Sequence, residues 1–116
     1  MKNKIPEIKL DSNGDPTEEF LNFIKNYIPD SNFPISKFLE ILKEVWWMPE
    51  SQIEVIIDSE QNMELILHTG GWSCNESIIN AILDNMYLTY GAMQYYQWNV
   101  GGHYRFKVED DDYLTN

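Results

Sequence analysis

This chain holds one cysteine, Cys74, among its 116 residues. An internal disulfide is excluded, and a lone thiol suits a reducing compartment, so the expected location is the cytoplasm. No apolar run approaches the ~18 residues needed to cross a bilayer, so no membrane partner is expected. Met1 to Leu10 carries lysines but no apolar core, and does not read as a secretory signal. Basic residues are scarce as well: eight Lys and Arg stand against nineteen Asp and Glu, a net charge of −11. Direct binding to nucleic acid is disfavoured, because phosphate contacts need Lys and Arg. The same imbalance favours a protein partner with a basic surface, including the nucleic-acid-binding grooves of other proteins, although solubility alone also accounts for it. Familiar catalytic frames are missing too. There is no G-x-G-x-x-G, G-x-x-x-x-G-K-[ST] or G-x-S-x-G, and no cofactor is expected.

What is present is globular. A hydrophobic content of 43% and an aromatic content of 14% can form a core, and the length suits one domain over 1–116. Residues 1–14 form a polar N-terminal segment, and 109–116 form an acidic tail. Asp15-Pro16-Thr17-Glu18 reads as a helix start, with Asp15 as N-cap, Pro16 at N1 and Glu18 at N3. Phe20, Leu21, Ile24, Tyr27 and Ile28 follow at helical spacing. Ile35, Phe38, Leu39, Leu42, Val45 and Trp46 form a second stripe, with Trp47 off it and Pro49 expected to end the helix.

The period then changes to two. Ile53, Val55 and Ile57 alternate with Glu54 and Asp58, and Met63, Leu65 and Leu67 alternate with Glu64 and His68. The polar linker 59–62 implies a hairpin. Ser73 and Glu76 have the spacing of a capping box, and Ile78, Ile79, Ile82, Leu83 and Met86 form a third helical stripe. Two strand-like runs, 88–98 and 103–109, flank an Asn99-Val100-Gly101-Gly102 turn. The expected class is α+β: two N-terminal helices, then β-β-α-β-β, with an antiparallel sheet of about four strands packed on helices.

Two clusters stand out, His68-Thr69-Gly70-Gly71-Trp72-Ser73-Cys74-Asn75-Glu76 and Gly101-Gly102-His103-Tyr104. The histidines are assigned to the more polar face of the sheet. If adjacent, with Glu64, Asp58 or Glu76 nearby, they could serve as acid and base, and His68, His103 and Glu76 are the catalytic candidates. Two histidines without a third firm ligand do not make a metal site, and none is expected. Strand pairing is the plainer role for them. Gly70-Gly71 before a helix reads as a tight turn or an anion cradle. Cys74, in the first helical turn, is where the dipole lowers a thiol pKa, though an incidental buried cysteine is the simpler account. The binding candidates are Glu54, Asp58, Glu64, Trp72, Trp98, Tyr104, Asp110, Asp111 and Asp112, acids and aromatics suited to a basic protein face.

The segments HTGGWSCNESIINAIL and YYQWNVGGHYRFKV resemble a family of small phage and prophage proteins with an HTGGWS-x-NE element followed by GGHY. The resemblance covers roughly residues 63–108, with Cys74 at the variable position. Together with the charge, it implies an anti-defence inhibitor of the anti-CRISPR or anti-restriction kind. The alternatives are a small enzyme or ligand-binding protein using His68 and His103, and a homodimer formed through the sheet face.

Overall fold

The computed structural model describes residues 4–57, 63–99 and 102–108. Asp58, the 59–62 linker and the acidic run 109–112 lie outside the described residues, as does the side chain of Trp98. The elements are α1 (Glu18–Asn26), α2 (Ile35–Val45), α3 (Pro49–Gln52), β1 (Ile53–Ile57), β2 (Met63–His68) and α4 (Ser73–Leu83). A kinked π-helical turn (Leu88–Ala92), β3 (Met93–Asn99) and β4 (His103–Val108) complete the order. The class is α+β, with antiparallel strands ordered β1-β2-β4-β3.

Helix α1 starts later than the sequence implies. Asp11 Oδ1 accepts from the amides of Asn13 (2.8 Å) and Asp15 (3.0 Å), and Pro16 pairs with Leu10 in a short bridge. Asp15 and Pro16 are therefore drawn into the preceding turn. Thr17 is the N-cap, its Oγ1 accepting from the Phe20 amide at 3.1 Å. Helix α2 stops at Val45 because Trp46 turns extended. Its indole then enters the core, and its Nε1 donates to the His68 carbonyl at 3.1 Å. Pro49 does not simply end a helix. Met48 adopts a left-handed conformation, and Pro49 opens the one-turn α3 from the N1 position, where its missing N–H costs nothing.

The core lies between the helices and one sheet face. Met63, Leu65 and Leu67 of β2, with Phe106 and Val108 of β4, point into it and meet Phe20, Phe38, Leu42, Ile78, Ile79 and Ile82. Tyr27 stacks on Phe38 at 4.4 Å and 6°, while its hydroxyl donates to the Phe33 carbonyl at 2.8 Å. Asn85 is buried where α1 ends. Its Nδ2 donates to the carbonyls of Ile24 (2.7 Å) and Tyr27 (2.8 Å), and its Oδ1 accepts from the Leu88 amide (3.0 Å). It thereby satisfies helix-end carbonyls that would otherwise be buried without donors.

Two expectations fail after Leu83, one for the third helical stripe and one for the strand-like run 88–98. Met86 is 62% exposed, because α4 ends at Leu83 and the periodicity does not continue past the cap. Leu88–Ala92 is not strand but a turn kinked at Gly91, so β3 begins at Met93. The turn leaves Tyr87 and Tyr90 exposed.

Candidate functional site: a polar sheet face and an acidic aromatic corner

The sheet face away from the helices carries Glu64, Ile66 and His68 of β2 and, in register on β4, Lys107, Arg105 and His103. His68 and His103 sit directly opposite each other. Their Nδ1 atoms are 2.6 Å apart, with ring centroids at 4.8 Å in an edge-on arrangement. Glu54 of β1 completes the row, its Oε2 lying 2.5 Å from His68 Nε2. Glu54 opposes Ile66 in the β1–β2 register, so it reaches His68 diagonally, across the 7–8 Å spacing typical of such neighbours.

Hydrogen-bond inventory limits where the protons in this row can sit. A carboxylate only accepts, so His68 Nε2 carries hydrogen toward Glu54. The short nitrogen–nitrogen contact holds one hydrogen: with both rings neutral, His68 Nδ1 offers a lone pair and His103 Nδ1–H donates to it, whereas a protonated His68 donates from Nδ1 to His103. In the neutral pair His103 Nε2 is left as an acceptor, and among the described residues it has no hydrogen-bond partner. His68 and His103 are partly exposed. One row below, Arg105, the one arginine of the chain, places Nη2 3.2 Å from Glu64 Oε1.

The other motif residues build the end of the sheet and the entry to α4. The Thr69 amide donates to the Gly102 carbonyl at 2.9 Å, extending the β2–β4 ladder past the histidines. Thr69 Oγ1 is buried against Gly102, where an added Cβ would fall 2.1 Å from it; among the described residues that hydroxyl has no hydrogen-bond partner. Gly70, Gly71 and Gly102 all have left-handed φ values. At Gly70 a Cβ would also run into the Trp72 ring, 2.7 Å away. Asn75 is fully buried and clamps two loops together. Its Oδ1 accepts from the Trp47 amide (2.9 Å), and its Nδ2 donates to the carbonyls of Thr69 (3.2 Å) and Trp47 (3.4 Å).

That clamp holds Trp47 against Trp72, with rings stacked at 6.0 Å and 29°. Trp47 remains 46% exposed, and Met48 beside it is exposed too. The Asp11–Asp15 turn packs alongside: a Cβ on Gly14 would meet the Trp47 ring at 3.7 Å. An acidic turn and a pair of indoles thus share one corner of the molecule.

The predicted residues divide accordingly. His68, His103, Glu54 and Glu64 share the polar face, but Glu54 and Glu64 are already engaged by His68 and Arg105. Trp72 belongs to the aromatic corner. Tyr104 lies on the core side of β4, packed against the buried cluster. Glu76 is exposed on α4, and among the described residues it is hydrogen-bonded to neither histidine. The Ser73–Glu76 capping box does not form: Trp72 occupies the N-cap and no side chain caps the helix, so Ser73 already stands inside the first turn. Cys74 is buried near the Val45 carbonyl, and its thiol pKa is raised, chiefly by burial and then by the Asp15 carboxylate. Burial and a neighbouring carboxylate both disfavour the thiolate, which fits an incidental buried cysteine and not a thiol activated at the helix start.

Sequence reasoning gave no part in the site to Trp46, Asn75, Arg105 or the 11–15 turn. Asn75 carried a usable signal, as a polar residue inside the otherwise apolar α4 stripe, and Asn13-Gly14 is a turn dipeptide that marks the 11–15 turn without placing it beside Trp47. Among the described residues no group of three or more His, Cys, Asp or Glu side chains is arranged to hold a metal, and no helix is long and apolar enough to cross a membrane. No protein-family model matches the chain, and comparison with curated proteins and with solved structures finds no match.

Proposed function

We propose that this protein works by binding a protein with a basic surface, as a phage-encoded inhibitor of a bacterial defence or nucleic-acid-processing protein in the host cytoplasm. The observation that carries this reading is the corner formed by Asp11, Asp15, Trp47, Met48 and Trp72. It joins exposed aromatic surface to carboxylates on a chain of net charge −11. Aromatic anchors supply most of the free energy at protein interfaces, and charge complementarity supplies orientation and association rate. The phage setting rests on the resemblance of the HTGGWSCNE and GGHY elements. Glu54 and Glu64 are less suited to the contact than the charge count alone implies, because each already faces a cationic or hydrogen-bonding partner within the sheet.

The test is affinity capture from bacterial extract with the tagged full chain at 50 mM and 300 mM salt. A basic protein retained at low salt and released at high salt is expected. Trp47→Ala with Asp15→Lys should lose it while the far-UV spectrum stays unchanged. Retention unaffected by salt and by both changes would overturn the reading. A second reading has one observation in its favour: edge strand β1 exposes Ile56 and Ile57, so two copies could pair through that edge. A dimeric mass by sedimentation, lost in Ile56→Lys, would support it, and a monomer at all concentrations would dismiss it.

A further inference from the structure

The Glu54–His68–His103 row lies on the open sheet face and plays no part in the binding corner. We infer that it is a relay that makes His103 Nε2 a general base, and that the site hydrolyses activated carboxylic esters. Three observations carry the inference. The side chains come from three adjacent strands yet form one continuous hydrogen-bonded line, with contacts of 2.5 and 2.6 Å. With both rings neutral, the carboxylate at one end orders both tautomers and leaves an unprotonated nitrogen at the other end. That nitrogen belongs to a partly exposed ring and has no hydrogen-bond partner among the described residues.

Cross-strand packing alone would explain a contact between two rings. It does not require a third group that fixes which nitrogen is left bare. A base oriented by a second group, itself oriented by a carboxylate, is the arrangement that activates water or a hydroxyl for attack. Backbone placement makes it rigid. The His68 carbonyl is pinned by Trp46 Nε1, and the Thr69–Gly102 hydrogen bond closes the ladder just beyond the pair.

In the reaction, His103 Nε2 takes a proton from water as the water oxygen bonds to the acyl carbon. The bond from that carbon to the leaving oxygen then breaks, and the departing alkoxide or phenolate recovers the proton from the imidazolium. Between those events His103 is cationic, and its Nδ1–H remains donated to His68, whose Nε2–H is held by Glu54. His103 is the catalytic residue; His68 and Glu54 are positioning residues.

The probe is p-nitrophenyl acetate with the full chain. Hydrolysis at least about tenfold faster than by free imidazole at equal concentration is expected. His103→Gln should abolish the excess. Glu54→Lys is the sharper variant, because an ammonium only donates. It forces His68 to accept at Nε2 and donate from Nδ1, which turns His103 to accept at Nδ1 and carry its proton on Nε2. The excess rate should then disappear although both imidazoles remain. Nitrogen-15 NMR of the rings reads the same reversal independently of turnover, with His103 Nε2 bare in the parent protein and protonated in Glu54→Lys. A protonated His103 Nε2 in the parent protein, a rate no faster than free imidazole, or a rate unchanged by His103→Gln would each overturn the inference.

Discussion

Gly102 and Gly71 have almost the same left-handed backbone, φ of +79° and +80°, but very different surroundings. Replacing either with alanine imposes the left-handed penalty, about 1–2 kcal/mol. At Gly71 nothing lies within 4 Å of the new Cβ, so that penalty is the whole cost. At Gly102 the Cβ would fall 2.1 Å from Thr69 Oγ1 and 3.3 Å from Thr69 Cβ. Thr69 is 1% exposed and its amide is hydrogen-bonded to Gly102, so neither side chain nor backbone has room to withdraw. Overpacking of this kind adds roughly 1–3 kcal/mol. Gly102→Ala should therefore destabilise the protein by about 2–5 kcal/mol, against about 1–2 kcal/mol for Gly71→Ala. Urea denaturation followed by circular dichroism measures both. Thr69→Ala removes the offending hydroxyl, so the double variant should recover about 1–3 kcal/mol of the Gly102 cost as coupling. Equal losses at the two glycines, or coupling below about 0.5 kcal/mol, would refute the steric argument.

Three further outcomes follow from the packing. Asn75→Asp keeps the acceptor used by the Trp47 amide but removes both donors and sets a carboxylate against two carbonyls. A loss of about 2–4 kcal/mol and a red-shifted tryptophan emission are expected, and an unchanged spectrum would count against the clamp. Phe38→Ala removes the ring stacked on Tyr27 in the fully buried cluster and should cost about 3–5 kcal/mol in urea melts. The Cys74 thiol pKa is raised in the folded protein, chiefly by burial, so the native state holds this proton to higher pH than the unfolded chain. Its contribution to stability is complete below the ordinary thiol range and is lost as pH rises through and beyond it. Cys74→Ala should flatten that part of the alkaline stability profile, and disulfide reagents should label the native thiol far more slowly than the unfolded one.

Much of the architecture was legible because it rests on local periodicity. The alternation in Ile53–Ile57 and Met63–His68 names the strands and assigns His68 to the polar face, since a side chain's face depends only on its own strand. The stripes through Phe38, Leu42, Ile78 and Ile82 name the helices in the same way. Boundaries were less legible where tertiary contacts compete with local signals. Asp15 looks like a cap in isolation, but Asp11 and the Leu10–Pro16 bridge draw it into a turn. Ser73 and Glu76 have capping spacing, yet Asn75 and the Trp47–Trp72 stack hold Trp72 at the cap.

Composition determined that the chain is acidic, that it closes no internal disulfide and that direct phosphate binding is disfavoured, because these follow from residue counts alone. Whether the two histidines meet was beyond its reach. That depends on β4 inserting between β2 and β3, a pairing set by the packing of Phe106 and Val108 onto the helices rather than by any signal near residues 68 or 103. The same pairing sets Arg105 beside Glu64, while the β1–β2 hairpin brings Glu54 within reach of His68, turning carboxylates that read as free surface charge into parts of a hydrogen-bonded sheet face.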